Sequence, residues 1–254
     1  LRTLPGLLAA GVCLLAAAPA GAQAWVAPRG TGQAILKLEA MRADQGFDPS
    51  GDRAALPAPR RDDAASLFVE YGVANRLAVL FKGDWQSGED AFVDYEGRGP
   101  LEVGARWQVW RDDRGAVSLQ ASVADGGEGR NAGYAPPGRG TTDWEVRAAA
   151  GRNMTLGGRS VFVDVQAARR LRDGLPDETR GDLTVGVRHG PDWMVLAQVF
   201  GGMADDDGPR WVNVETSLVR DWGDWSLQLG WRSAVWGRET PASSGPVVGL
   251  WRRF

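Results

Sequence analysis

Residues 101–110, LEVGARWQVW, place Leu101, Val103, Ala105, Trp107 and Val109 on one side of an extended chain and Glu102, Gly104, Arg106 and Gln108 on the other. Side chains alternate between the two faces of a strand, so this separation predicts β-structure; helical spacing would mix the two sets. The pattern recurs in SVFVDVQAAR (160–169), where Val161, Val163, Val165 and Ala167 oppose Phe162, Asp164 and Gln166. It recurs again in DWSLQLGWR (224–232), with Trp225, Leu227, Leu229 and Trp231 against Ser226, Gln228, Gly230 and Arg232. Applied along the chain, the rule predicts twelve strands, at 32–41, 64–73, 76–86, 100–111, 115–124, 142–153, 159–170, 181–189, 192–201, 210–220, 224–236 and 246–254. Each is near the ~10 residues of a strand in a transmembrane barrel.

The connections sort the architectures. They alternate between long and short: RADQGFDPSGDRAALPAPRRDD then AN, SGEDAFVDYEGRG then DDR, DGGEGRNAGYAPPGRGT then MTLGG, and so on to GRETPASSG. An antiparallel up-and-down transmembrane β-barrel has short periplasmic turns at one rim and longer external loops at the other, and an even strand number returns both chain ends to the short-turn rim. A soluble β-sandwich has no reason to keep such an alternation. The face alternation by itself does not separate the two, because a sandwich also opposes apolar and polar faces. Tryptophan position favours the barrel. The up-and-down path puts Trp107, Trp193, Trp222 and Trp225 near the short-turn rim and Trp85, Trp144, Trp211 and Trp236 near the long-loop rim, as two interfacial belts. In a barrel the polar set faces the lumen: Lys37, Glu39, Glu70, Lys82, Glu102, Arg106, Glu145, Arg147, Asp164, Arg188, Glu215 and Arg232.

The N-terminus sets the compartment. Arg2 is followed by the apolar run LLAAGVCLLAAA (7–18) and the small-residue segment PAGAQA (19–24), the pattern of a cleaved signal peptide. Ala22 and Ala24 occupy the A-x-A positions, so the reading is a signal peptide over 1–24 and one barrel domain over 25–254. The apolar run is too short for a helical membrane anchor, which needs roughly 20 residues. Cys13, the only cysteine, lies inside the signal, and Val12 before it does not fit a lipoprotein site. The exported domain then has no disulfide and must be held by a core or a closed sheet.

Composition narrows the chemistry. The formal charge of −3 offers no basic face for nucleic acid. A single His and no mature thiol exclude a His-based or thiolate metal site, and no cofactor is expected. The acidic segments GED (88–90) and MADDD (203–207) offer hard oxygen ligands for a cation such as Ca²⁺, although solvated loop charge explains them better. His189, in RHGPDW (188–193), falls at a short turn with no Ser or Thr beside it, so no catalytic residue is assigned and enzymatic activity is not expected. The glycine-rich GGEGRNAG (126–133) joins antiparallel strands instead of opening a helix, which excludes a phosphate loop.

The last segment, PVVGLWRRF (246–254), resembles the C-terminal strand of Gram-negative outer-membrane barrels, which ends in an aromatic residue with apolar residues at alternate preceding positions. Val248, Leu250 and Phe254 match; Arg252 departs from the pattern. The resemblance implies an outer-membrane location, contact with outer-membrane lipid, and recognition of these residues by the barrel assembly machinery. Three further segments, AWVAPRGTGQ (24–33), FDPSG (47–51) and VEYGVANRLAV (69–79), resemble the N-terminal third of exported barrels grouped with aromatic-degradation (phenol meta-pathway) operons. That likeness implies a channel or transporter for small, often hydrophobic compounds and transfers no functional residue.

Two readings of function follow. One is a channel or transporter for a small-molecule solute, its selectivity set by Arg106, Arg147 and Arg232 against Glu102, Glu145 and Glu215. The other is a non-conducting structural or accessory envelope barrel whose lumen charges pair with one another and close it. The long first loop, with Pro49, Pro57 and Pro59, is expected either to narrow the mouth or to move freely.

Overall fold

The computed structural model describes residues 23–92, 94–127 and 142–254. Twelve long strands form one closed antiparallel sheet: β1 (Gly32–Phe47), β2 (Arg53–Ala74), β3 (Leu77–Glu89), β4 (Asp94–Arg111), β5 (Gly115–Asp125), β6 (Thr142–Leu156), β7 (Arg159–Arg172), β8 (Glu178–His189), β9 (Trp193–Ala204), β10 (Arg210–Trp222), β11 (Trp225–Arg238) and β13 (Ser244–Arg253). A two-residue segment, β12 (Thr240–Pro241), adds to the end of β1. Each strand pairs with its sequence neighbour. Closure comes from β1, which pairs with β2 on one side and with β13 on the other. At the seam Gly32 and Phe254 exchange backbone hydrogen bonds of 2.7 and 3.0 Å. Closure leaves no long free edge, the condition for β-structure in lipid.

The short turns carry the local chemistry that tight hairpins need. Leu156 pairs with Arg159 across Gly157 and Gly158, both at positive φ (55° and 75°). A two-residue turn of that hand matches the strand twist and excludes ordinary side chains on steric grounds. At 112–115 the Asp112 carboxylate accepts from the backbone N–H of Arg114 (2.8 Å) and Gly115 (2.6 Å), which holds its pKa below the usual carboxylate range.

At the opposite rim the strands run further than periodicity predicts. The first long connection is a continued hairpin of β1 and β2 closed at 48–52, where Asp48 Oδ1 accepts from the N–H of Ser50 and Asp52. It is therefore neither a loop folded across the mouth nor a free segment. Pro57 and Pro59 lie where the β1–β2 register jumps, between Ala43↔Arg60 and Gln45↔Ala55, and above the reach of β3, so their missing N–H groups interrupt no ladder. Polarity hid these extensions, because above an apolar band both strand faces meet water and alternation vanishes.

The outer wall carries the apolar band, with Leu36, Val103, Val146, Val165 and Leu229 exposed on it. Trp107, Trp193, Trp222 and Trp225 flank it at the short-turn end, and Trp85, Trp144 and Trp236 at the other; all are exposed. Trp211 departs from this belt. It points inward, with Arg180 over its ring at 6.0 Å. The inward face holds the buried polar residues, among them Glu70, Arg106, Gln108, Glu145, Asp164 and Glu215.

Candidate functional site: the barrel lumen

Among the described residues, two cavities occupy the lumen. One of about 320 Å³ lies toward the long-hairpin rim, bounded by Glu39, Asp62, Asp84, Tyr95 and Asn213 among others. The second, about 460 Å³, reaches down to Gln33, Glu70, Arg106 and Gln120. Six residues line both: Lys82, Glu102, Arg170, Arg180, Trp211 and Arg232. They form the step between the chambers.

Most of the lumen charge is bound in ion pairs that cross from strand to strand. Arg106 Nη1 donates to Glu70 Oε2 at 2.6 Å, and Arg106 Nη2 to Gln120 Oε1 at 2.8 Å. Arg147 reaches Glu145 (2.9 Å) and Asp182 (2.6 Å), and Arg170 reaches Glu145 (2.9 Å) and Glu102 (3.4 Å). Glu215 takes Lys37 (3.1 Å) and Arg232 (2.7 Å), and Arg232 also binds Glu39 (2.9 Å). Toward the long-hairpin rim Glu178 binds both Arg172 and Arg180. Taking such charges out of water is costly unless each finds a partner, and here the closed sheet supplies the partners.

The chain preceding β1 enters the barrel. Ala24, Trp25 and Val26 are buried, and Trp25 packs with Ala116, Ala149, Phe162, Met194, Leu196, Val219 and Trp251 in an apolar cluster at the short-turn end. The strand walls bind its backbone. Ala24 N donates to Asp164 Oδ2 (2.8 Å), Ala27 N to Glu70 Oε1 (3.2 Å), Gln108 Nε2 to Ala24 O (3.2 Å) and Ser118 Oγ to Gln23 O (3.0 Å). Gly151 opens the space: a Cβ there would overlap the Trp25 indole and fall 2.9 Å from the Ala24 Cβ.

Of the residues assigned to the lumen from sequence, Lys37, Glu39, Glu70, Lys82, Glu102, Arg106, Glu145, Arg147 and Arg232 line the two cavities. Glu215 and Asp164 are buried behind their partners. Arg188 sits near the short-turn rim, where it binds Asp221 at 2.8 Å. Sequence reasoning missed Arg170, Arg172, Glu178, Arg180 and Asp182, which lie in or just beyond the strand ends where polar residues fill both faces. It also missed the inserted segment, whose only local signal is an apolar Ala24-Trp25-Val26 directly before β1.

The other candidates resolve as follows. His189 ends β8 at an exposed turn. In 203–207, Asp205 binds Arg169 at 2.5 Å, and Asp207 lies 3.5 Å from Arg210 and 3.6 Å from Arg238; in 88–90, Asp90 lies 3.6 Å from Arg60. Among the described residues no group of three His, Cys, Asp or Glu is placed to hold a metal ion. Most of the glycine-rich stretch 126–133 and nearly all of the signal segment 1–24 lie outside the described residues. In β13 Val248 and Leu250 point to the exterior, Phe254 stacks on Tyr71 with centroids 6.4 Å apart, and Arg252 lies over Trp225 at 5.2 Å and pairs with Asp224.

A closed twelve-strand wall with an apolar exterior and a charged, chambered interior defines a transmembrane β-barrel. Solved structures share this fold. The COG4313 outer membrane channel from Pseudomonas putida F1 superposes with a TM-score of 0.69 at 14% identity, over 91% of this chain and 98% of that one. The KdgM porin gives 0.59 at 10% identity, over 87% and 99%, and the NanC porin 0.54 at 10% identity, over 85% and 97%. No family model matches the sequence, and no curated protein matches it.

Proposed function

We propose that this chain is an outer-membrane channel for small solutes. The observation that carries the reading is the pair of lumen chambers joined through one charged step. A barrel built only for mechanical support gains nothing from retaining that space, since side chains readily fill a narrow barrel. The fold shared with the COG4313 channel and the two porins supports it. Export with removal of residues 1–24 leaves Trp25 first in the inserted segment and takes away Gln23 and Ala24 with their bonds to Arg106, Gln108, Ser118 and Asp164, so that the packing of Trp25 and the Ala27 N–H to Glu70 bond hold what remains. The outward Val248 and Leu250, with Phe254 beyond the last strand, then serve as the segment read by the assembly machinery.

One observation favours the second reading, a non-conducting envelope barrel: the inserted segment fills the short-turn end. Single-channel recording of the refolded protein in a planar bilayer decides between them, with folding checked first by the heat-dependent gel shift. Discrete, reproducible conductance steps are expected. A folded barrel that stays silent, and stays silent after Trp25→Ala, would overturn the channel reading.

A further inference from the structure

The step between the chambers carries four cations, Lys82, Arg170, Arg180 and Arg232, against one carboxylate, Glu102. The three arginines are occupied: Arg170 by Glu145 and Glu102, Arg180 by Glu178, and Arg232 by Glu215 and Glu39. Lys82 differs. Its side chain is exposed to the lumen and makes no hydrogen bond or ion pair among the described residues. Its cross-strand neighbour Glu102 is turned toward Arg170, and Asp84, two residues on, accepts from Gln86 Nε2 through Oδ2 at 2.6 Å and acts on Lys82 only through space. An ammonium with three unused donors, fixed where both chambers meet, is a ready partner for an anion. Beside it on the inward face stand two apolar side chains of the lower chamber, Phe68, its cross-strand partner on β2, and Leu80, two residues before it.

We propose that the step is a binding site for a small organic anion, a carboxylate with an apolar body, held through Lys82. The carboxylate meets the Lys82 ammonium, and the apolar part lies against the neighbouring Phe68 and Leu80. Arg106, Arg147 and Arg232 contribute field, but each is already neutralised by a carboxylate: Glu70 for Arg106, Glu145 and Asp182 for Arg147, and Glu215 and Glu39 for Arg232. The inference rests on the channel reading for transport, but binding itself does not require conduction.

The test uses hexanoate and its neutral counterpart hexanamide on the full-length exported protein and on Lys82→Gln, a change that breaks no contact. In planar bilayers under a KCl gradient, the reversal potential of the unaltered channel should indicate anion preference and move toward zero in Lys82→Gln. Hexanoate should reduce the open-channel current while hexanamide does not, and the block should weaken at least tenfold in the variant. Calorimetric titration of hexanoate into protein in nanodiscs, with empty nanodiscs subtracted, reads the site without current. Saturable heat lost in Lys82→Gln supports the site even if the barrel never conducts. Equal binding by the two proteins, or equal response to hexanoate and hexanamide, overturns it.

Discussion

The α-carbon of Gly151 lies against the indole of Trp25, so closely that no larger residue fits while the segment before β1 stays inside the barrel. Gly151→Val should therefore expel that segment. The strand ladders of β6 with β5 and β7 do not depend on it. The expected result is a folded, heat-modifiable barrel whose unit conductance rises several-fold, and Trp25→Ala should act in the same direction. Unchanged conductance in both would show that the segment does not limit flow.

Arg106 and Glu70 form a buried pair, both with side chains 2% exposed. Glu70→Ala strands the Arg106 guanidinium in the wall, hydrogen-bonded to the neutral Gln120 and without an ion pair. Loss of one partner from such a pair costs about 3–5 kcal/mol. Replacing both at once with Met and Leu should restore most of the stability. Reversible urea unfolding of the barrel in lipid vesicles measures each value; equal loss in single and double variants would refute the pairing.

Arg147 neutralises Glu145 and Asp182. Arg147→Ala takes the arginine from Asp182 and leaves Glu145 to Arg170, a net loss of one positive charge in the lower chamber, so selectivity should shift toward cations. Arg232→Ala, which leaves Glu39 and Glu215 to Lys37, should shift it the same way. Reversal potentials under a salt gradient report both, and unchanged values would remove these residues from the conduction path.

Trp144 projects outward and Trp251 inward, at 60% and 3% exposure. Lipids brominated near the interface should quench the Trp144 contribution and spare that of Trp251. Trp144→Phe should therefore reduce the quenchable fraction of the fluorescence, while Trp251→Phe should raise it. The opposite pattern would invert the wall.

Sequence alternation was enough to determine the twelve strands, the up-and-down order and the inward side of each. Side chains in a strand repeat with period two, and short turns such as Gly157-Gly158 mark where the chain reverses. It stopped short where that physics stops. Above the apolar band both faces of β1 and β2 meet water, so the continued hairpin carried no period to read. Trp211 has the aromatic character of its belt neighbours, yet it shares the period-two face of Glu215 and points inward, with Arg180 over its ring. Only closure of the sheet decided which charge meets which. Arg106 and Glu70 stand 36 residues apart and Arg147 and Asp182 stand 35 apart, distances along the chain that no local pattern spans. The same closure left Lys82 without a hydrogen bond or ion pair among the described residues and made room beside Gly151 for Trp25. A period identifies the face a side chain takes; its partner across a lumen depends on the stagger of all twelve strands.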